Sequence, residues 1–290
     1  MRPDQLPLIT TLSAPAVHPD GTWVVVAATQ PDFAADDYVG QLWRVPLNKT
    51  TPPRRLTRGF RDSTPKFSPD GKLVGFLRSE PEQKTQLYVA PANGGEPVQV
   101  TDAKLGVSEF AFSPDSRTLV YTARVPEEDR YGTTDGVSGE QEDPRRITGF
   151  KFRMNEVGFT NDKRVHLFTV AVPDPFDPPL IKPVGRAAKA AKNAAPWQAV
   201  PPSRQLTDGD ADDTQPVFTP DGQSVLFTSS RHDSADSDLV TSLYRVPLTG
   251  GNPELLLEDL GLAAQGAVVV GEHVFFIGED FGPSGRDFVA

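Results

Sequence analysis

The sequence predicts an all-β fold built from repeated four-stranded units, and three observations lead to this prediction. A His/Ser/Thr-Pro-Asp-Gly/Ser motif occurs four times, ending at Gly21, Gly71, Ser116 and Gly222. Each copy is followed at once by a short apolar run. The 24 Gly and 29 Pro residues indicate many turns. Self-similarity of this kind, with several short apolar segments in each repeat, is typical of a β-propeller with four-stranded antiparallel blades.

The elements of each repeat follow from its local chemistry. Pro fixes φ and Gly accepts positive φ, so the Pro-Asp-Gly motif specifies a tight reversal between two strands. The strand after the turn is continuously apolar, which indicates that both of its faces are covered. Two more segments complete each repeat, and we expect little helix outside the linker described below. The strands after the turns lie at 23–28, 73–77, 119–123 and 225–228, the next at 42–45, 87–89, 166–170 and 243–246, and the closing ones at 55–57, 99–101, 205–207 and 255–257.

The whole chain, 1–290, is therefore predicted to be an incomplete propeller. Four blades are expected at about 12–60, 61–105, 106–210 and 211–261, with a partial fifth at 262–290. The third repeat is roughly 55 to 60 residues longer than its neighbours. Its extra residues lie between Val125 and Arg164 and between Pro173 and Arg204, where an Ala/Lys-rich stretch predicts an exposed loop or short helix.

The fifth repeat contains only one predicted hairpin, around Gly271-Glu272. A half blade exposes unpaired backbone groups at its edge, which stable sheets avoid. We therefore expect that this chain is a piece of a longer protein or that another chain completes it.

Composition excludes several function classes. With 29 Lys+Arg against 39 Asp+Glu, the formal net charge of −10 argues against nucleic-acid binding. The sequence has no long apolar run and no apolar stretch near its start, which predicts no membrane span, no secretory signal and a cytoplasmic location. The absence of Cys excludes disulfides, thiolate metal sites and a cysteine nucleophile.

The repeats carry a resemblance to a known family. The Pro-Asp-Gly hairpins, the Leu-Tyr-Arg-Val-Pro strand at 243–247 and the Leu-Thr-Asp-Gly segment at 206–209 resemble the N-terminal propeller of prolyl oligopeptidase family serine peptidases. The long third repeat is similar to that of the acylaminoacyl-peptidase (acyl-peptide hydrolase) branch, on the segments 145–153, 158–159, 164–168 and 208–210.

The resemblance implies a propeller that gates a catalytic α/β-hydrolase domain and selects oligopeptide substrates by size. The chain contains no Gly-x-Ser-x-Gly motif, so no catalytic residue is assigned in it. The triad is expected in an α/β-hydrolase domain of the same parent protein that is absent from this chain, which alone is expected to be inactive and to need no cofactor. The implied partners are oligopeptides, that hydrolase domain and a further copy in a homo-oligomer.

Two other interpretations remain open. The first is a TolB-like propeller that binds another protein and has no peptidase activity. The second is a propeller enzyme of lactonase or phytase type, which needs carboxylate and His ligands converging on the central channel.

The candidate substrate-binding residues are Arg145, Arg146, Lys151 and Arg153, a basic cluster in the third repeat of an acidic protein. Because Arg suits a bidentate grip on a carboxylate, this cluster is predicted to bind the C-terminus of a peptide. The alternative is that these cations pair with acidic residues of the same insertion, which tie it down. Those acidic residues are Glu127, Glu128, Asp129, Glu140, Glu142 and Asp143.

No metal site is predicted. The acidic segment 208–213 resembles the start of a calcium loop but has Asp213 and Thr219 where an EF-hand needs Gly and Glu. It is predicted to be a solvated loop, as is the segment that holds Asp233, Asp236 and Asp238. The four His residues are far apart in the sequence, and none has metal-ligand spacing.

Overall fold

The computed structural model describes residues 2–178, 181–190, 200–257, 262–282 and 285. The contacts divide the chain into two compact units. The first unit comprises Met1–Asp102 and Val170–Ser203, and the second comprises Ala103–Thr169 and Arg204–Ala290.

The first unit contains two consecutive repeats, of five and four strands, preceded by a 3₁₀ helix at Pro3–Leu8. In the first repeat, two short strands, β1 and β2, pair antiparallel with β3, and β4 and β5 complete the sheet. The second repeat runs β6-β7-β8-β9, and one parallel bridge between Gly40 and Arg61 joins it to the first. The strands are β1 Thr11–Leu12, β2 Ala16–Val17, β3 Trp23–Asp32, β4 Asp37–Pro46, β5 Arg54–Arg55, β6 Arg61–Phe67, β7 Leu73–Ser79, β8 Gln86–Pro91 and β9 Val98–Gln99.

The second unit contains two further four-stranded sheets and two hairpins. The sheets run β10-β11-β14-β15 and β16-β17-β18-β19, and the hairpins are β12-β13 and β20-β21. A short helix, α1 at Gly185–Ala190, lies in the predicted linker, which belongs to the first unit. The strands are β10 Val107–Phe112, β11 Thr118–Pro126, β12 Arg153–Met154, β13 Gly158–Phe159, β14 Lys163–Ala171, β15 Arg204–Gln205, β16 Asp213–Phe218, β17 Ser224–Ser229, β18 Ser242–Pro247, β19 Glu254–Leu255, β20 Leu262–Val270 and β21 His273–Asp280.

The core of each unit lies on the strands that the apolar runs predicted. In the first unit, Val25, Leu42, Val74 and Phe76 are fully buried in one cluster with Trp23. In the second unit, the corresponding cluster comprises Val120, Leu167, Leu206, Phe218, Val225, Phe227, Tyr244 and Val246. Because both faces of these strands are covered, the runs are continuous rather than alternating.

The Pro-Asp turns have the predicted chemistry. The Ser68 hydroxyl donates to Asp70 Oδ1 at 2.7 Å, and the same oxygen accepts the Lys72 N–H at 3.1 Å. Gly71 has φ +72°, and a Cβ there would lie 2.9 Å from His18 Nε2, so this position needs Gly for both its conformation and its space. In the third repeat Ser116 accepts a φ of +62° at the equivalent position.

A Thr closes three of the repeats by a hydrogen bond that extends the sheet. The hydroxyls of Thr57, Thr101 and Thr207 accept the backbone N–H groups of Leu42, Leu87 and Leu167 at 2.9–3.0 Å. The Thr101 hydroxyl also donates to Gln86 Oε1 at 2.9 Å, and Thr101 is fully buried. The Thr hydroxyls therefore accept backbone N–H groups that the short closing strands do not pair.

Replacing Thr101 with Val keeps the side-chain shape and removes both hydrogen bonds. Because the Leu87 N–H would then be buried without its acceptor, we expect a loss of about 1–3 kcal/mol in the free energy of unfolding. Chemical denaturation of Thr101→Val measures this loss, with the exposed Thr249→Val as the matched control. Equal midpoints for the two variants would contradict the role assigned to Thr101.

Candidate functional site: the insertion of the third repeat

The insertion of the third repeat lies between the end of β11 at Pro126 and the start of β14 at Lys163. Its regular part is the hairpin of β12 and β13, in which Arg153 pairs with Phe159 and Met154 with Gly158. The hairpin turn contains Glu156 at φ +63°. The first of the two predicted insertions is therefore a folded segment that carries its own small sheet.

A buried carboxylate holds this insertion in place. Asp162 accepts a hydrogen bond from Arg145 Nε at 2.6 Å and one from the Tyr131 hydroxyl at 2.9 Å. Arg130 Nε lies 3.6 Å from the same carboxylate. Because Asp162 is almost fully buried, its charge requires these partners, and they fix the start and the end of the insertion together.

Glu142 joins the same network. It accepts Arg145 Nη2 at 3.0 Å and the Tyr131 backbone N–H at 2.7 Å, and that backbone hydrogen bond is the largest cause that lowers the pKa of Glu142. Burial lowers the pKa of Arg145, but the hydrogen bonds to Asp162 and Tyr131 and the charge of Asp162 together outweigh burial and raise the pKa overall. Arg145 therefore stays charged and paired. Its guanidinium also lies 4.7 Å from the centre of the Phe159 ring.

A second contact fastens the insertion to the fourth repeat. Asp236, in the loop between β17 and β18, accepts the backbone N–H of Phe150 at 2.8 Å and that of Lys151 at 2.9 Å. These two hydrogen bonds are the largest causes that lower the pKa of Asp236. A Cβ at Gly149 would lie 2.9 Å from Asp236 Oδ1, so the close approach depends on Gly. We call this contact the Asp236 latch.

The four predicted site residues have two different environments. Arg145 is held by Asp162 and Glu142, of which Glu142 is one of the acidic partners that the alternative interpretation names. Arg146, Lys151 and Arg153 are exposed, and Arg153 lies 5.9 Å from the Phe159 ring. We call these three residues the cationic face. Phe150, which is 82% exposed, lies between them in the sequence.

Some residues of the two acidic segments are buried and have side-chain partners, rather than lying in solvent. The prediction of solvated loops is wrong for Asp213 and Asp238, which are both buried. Arg231 binds Asp213 through two hydrogen bonds at 2.6 and 3.0 Å. Asp210 remains exposed and binds Arg164 at 2.6 Å.

Three of the histidines have partners that sequence spacing did not reveal. His166 lies 3.4 Å from buried Asp213, and His232 Nε2 lies 3.0 Å from both oxygens of Asp238. His18 stacks on Trp23 with ring centres 4.6 Å apart. Within the described residues, no group of three or more His, Asp or Glu side chains is arranged to hold a metal ion.

The first unit contains a groove of about 820 Å³ beside β1, β2 and β6. Segments 11–17 and 63–69 line it, and Leu12 and Val17 expose most of their side chains. Pro15, Pro65 and Pro69 also lie in the lining. Its volume is within the range of ligand sites, and its lining is mainly apolar.

Of the helices in the described ranges, none combines the length and the apolar character needed to cross a membrane.

Comparison with known proteins identifies peptidases among the relatives. No family model matches the sequence. The chain is 25% identical over 250 residues to the uncharacterized peptidase YuxL of Bacillus subtilis, an alignment that covers 83% of this chain and 33% of the relative. It is 30% identical over 145 residues to dipeptidyl-peptidase 5 of Porphyromonas endodontalis, covering 48% of this chain and 20% of the relative. The chain thus spans a third or less of the length of these relatives.

Solved structures share the fold. Acylaminoacyl peptidase of Pyrococcus horikoshii matches 90% of this chain and 34% of its own with a TM-score of 0.59 at 15% identity. Puromycin hydrolase matches 93% of this chain and 34% of its own with a TM-score of 0.57 at 13% identity. A TolB from Agrobacterium tumefaciens, described as putative, matches 93% of this chain and 71% of its own with a TM-score of 0.56 at 17% identity.

These comparisons confirm the predicted all-β propeller fold of four-stranded antiparallel blades. They also confirm the resemblance found in the sequence: the chain is a propeller with peptidases as its sequence relatives and acylaminoacyl peptidase and puromycin hydrolase among its structural neighbours.

Proposed function

We propose that this chain is the non-catalytic propeller of a cytoplasmic serine peptidase, in which it admits oligopeptides and excludes folded proteins. The observation that supports this proposal most directly is the sequence similarity to two peptidases along a propeller fold. An α/β-hydrolase domain of the same parent protein would supply the Ser nucleophile, the His base and the Asp that orients it. The parent enzyme would release residues or short peptides by acyl transfer.

The cationic face is the part of this chain that we assign to substrate. Arg146, Lys151 and Arg153 are exposed, whereas the charge of Arg145 is already paired with Asp162. Exposed guanidinium groups can bind both oxygens of a peptide C-terminal carboxylate. The Asp162 network and the Asp236 latch hold the backbone on which these cations stand, so the cations are presented without competing for the internal carboxylates.

The test measures peptide binding to the 290-residue chain by the fluorescence anisotropy of a labelled pentapeptide. The pentapeptide has either a free or an amidated C-terminus. Replacing all three cations with Ala is expected to weaken binding of the free-carboxylate peptide about tenfold, roughly the loss of one charge-assisted hydrogen bond. Binding of the amidated peptide should change little. The matched control carries the same charge change at three other exposed cations, Arg54, Lys72 and Arg117.

Equal affinity of the parent chain for the two peptides would contradict the assignment of the cationic face. The same preparation tests the assignment of catalysis. When the chain is incubated with chromogenic peptides, it is expected to release no product. Turnover that a serine-directed inhibitor abolishes would contradict the proposal that the catalytic triad lies in a separate hydrolase domain.

A second candidate function is protein binding without peptidase activity, as in a TolB-like propeller. The observation that favours it is the structural match to 71% of the length of the Agrobacterium protein. The groove of the first unit, with Leu12 and Val17 exposed along it, would then hold an extended segment of the partner. Failure of peptide binding at the cationic face, together with loss of partner binding in Leu12→Lys, would support this alternative.

A further inference from the structure

Four cation–π contacts connect five side chains of the third-repeat insertion in series. The Lys163 ammonium lies 4.5 Å from the centre of the Tyr131 ring, and the Arg145 guanidinium lies 5.5 Å from the same ring. Arg145 also lies 4.7 Å from the centre of the Phe159 ring, and Arg153 lies 5.9 Å from it. Each distance is within the range in which a ring attracts a cation. We call these five side chains the cation–ring series.

The inner part of the series is held by buried carboxylates. Tyr131 and Arg145 both donate to Asp162, at 2.9 and 2.6 Å. Arg145 also donates to Glu142 at 3.0 Å. Because hydrogen bonds between charged groups are strong and directional, they fix the guanidinium that lies against the Phe159 ring.

Phe159 connects this inner part to the surface. It is half-buried and belongs to β13, where it lies directly opposite Arg153 of β12. Side chains that face each other across two antiparallel strands are close enough to pack together. The strand and Arg145 therefore fix the ring, and the ring in turn supports the Arg153 side chain.

Arg153 is the exposed end of the series, and the internal carboxylates do not take up its charge. Asp162 and Glu142 pair with Arg130 and Arg145 at 2.6–3.7 Å. Within the described residues, Arg153 is also the one member of the cationic face that lies against a ring. A guanidinium supported in this way loses less side-chain freedom when it binds a ligand.

We propose that Phe159 is a positioning residue, which holds Arg153 as the main cation that binds the C-terminal carboxylate of an oligopeptide. This inference rests on the proposed function, because it requires that the cationic face binds substrate. Arg153 would donate two parallel N–H groups to the two carboxylate oxygens. Arg146 offers the same donors without a supporting ring, and Lys151 is a point charge without a planar fork, so both contribute less.

The first test ranks the three cations by one ratio, the affinity for the free-carboxylate pentapeptide divided by that for the amidated pentapeptide. Arg153→Ala is expected to lower this ratio roughly fivefold, and Arg146→Ala and Lys151→Ala at most about twofold each. Arg153→Lys keeps the charge but not the planar fork, so it should recover less than half of the loss. Equal losses in the three Ala variants, or full recovery in Arg153→Lys, would overturn the inference.

The second test changes the ring and leaves the cations in place. Phe159→Leu should lower the ratio about threefold, whereas Phe159→Tyr, which keeps the ring face, should preserve it. Trifluorophenylalanine at position 159 has nearly the shape of Phe but a much weaker negative face, so it should also lower the ratio. The matched control is the same replacement at Phe33, an exposed ring of the first unit, which should have no effect. A ratio that is unchanged by fluorination at 159 would refute the positioning role.

Trypsin cleavage after Arg130 shows whether the ring acts on the site or on the fold. In the trifluorophenylalanine variant Arg145 keeps its hydrogen bonds to Asp162 and Glu142, so cleavage should remain at the parent rate. Faster cleavage together with a lower ratio would mean that the ring stabilises the whole insertion, and the positioning role would fail.

The outcomes also separate this inference from the proposed function. If the parent chain binds the free and amidated pentapeptides equally, the assignment of the cationic face fails and this inference fails with it. If the parent chain prefers the free carboxylate but the Arg153 and Phe159 variants keep that preference, only the inference fails.

Discussion

Replacing Asp213 with Asn is expected to lower the free energy of unfolding of the second unit by about 3 kcal/mol. Asp213 is fully buried and accepts two hydrogen bonds from Arg231, with His166 at 3.4 Å. An Asn of the same size leaves the Arg231 guanidinium beside a neutral amide, and an uncompensated charge in a buried site is strongly destabilising. Thermal and urea denaturation measure the loss.

The matched control is Asp210→Asn, three positions away. Asp210 binds Arg164 at 2.6 Å, but its side chain is almost fully exposed, and exposed ion pairs contribute little to stability. We therefore expect this variant to unfold close to the parent. A loss in Asp210→Asn as large as that in Asp213→Asn would show that burial does not decide the effect.

The contribution of Asp213 is also expected to depend on pH. Burial raises the pKa of Asp213, but the hydrogen bonds from His166 and Arg231 outweigh it and leave the pKa below the ordinary value. A depressed pKa in the folded state means that the carboxylate stabilises the protein fully above the ordinary Asp pKa of about 4 and progressively less as the pH falls through the folded-state value. The difference in stability between the parent and Asp213→Asn should therefore shrink as the pH falls below about 4.

The local chemistry of the repeats was predictable because it depends on residues that are close in sequence. The Pro-Asp-Gly turns, the continuous apolar strands and the hairpin around Gly271-Glu272 appear where the motifs predicted them. The linker helix α1 also lies in the expected stretch, whereas the 3₁₀ helix at Pro3–Leu8 was not expected. It contains two Pro residues, which were interpreted only as turn formers.

The ion pairs that stabilise the repeats were not predictable because their spacing varies. Asp62 and Arg78 are 16 residues apart, and both lie on strands, in β6 and β7. Asp213 and Arg231 are 18 residues apart, and Arg231 lies just after the end of β17. No fixed motif connects such positions. The signal that the sequence offered was an Asp three residues before a Pro in the first strand of the repeat, at Asp62 and Asp213.

Contacts between successive repeats were hidden for a different reason. Gln215 has φ +55° in a strand irregularity, and Glu109, 106 residues earlier in the chain, accepts its N–H at 2.6 Å. Gln215 in turn accepts the N–H of Gly266 at 2.7 Å. Charge patterning identified Arg145 as a candidate ligand but could not foresee Asp162, because the two residues lie on opposite sides of the β12-β13 hairpin in the sequence.

The largest effect on the candidate site is expected from Asp162→Ala. Removing this buried carboxylate leaves Arg130, Arg145 and the Tyr131 hydroxyl without their common partner. The insertion should then open locally while the sheets on either side stay folded. Trypsin cleavage after Arg130, whose side chain is largely shielded, should become at least tenfold faster, which corresponds to about 1.4 kcal/mol of local stability.

Two comparisons separate local opening from general unfolding. Asp143→Ala removes an exposed carboxylate from the same insertion and should leave the cleavage rate unchanged. The circular dichroism spectrum of Asp162→Ala should match that of the parent. Cleavage that accelerates equally in both variants would contradict the assignment of Asp162 as the anchor.

The same variant links the anchor to peptide binding. Asp162→Ala retains Arg146, Lys151 and Arg153, so the number of exposed cations does not fall. If the insertion must be fixed for these side chains to bind a carboxylate together, the variant should lose the preference for the free-carboxylate peptide although it has gained positive charge. Stronger binding of that peptide would instead mean that net charge alone attracts it, and the assignment of a built carboxylate site on the cationic face would fail.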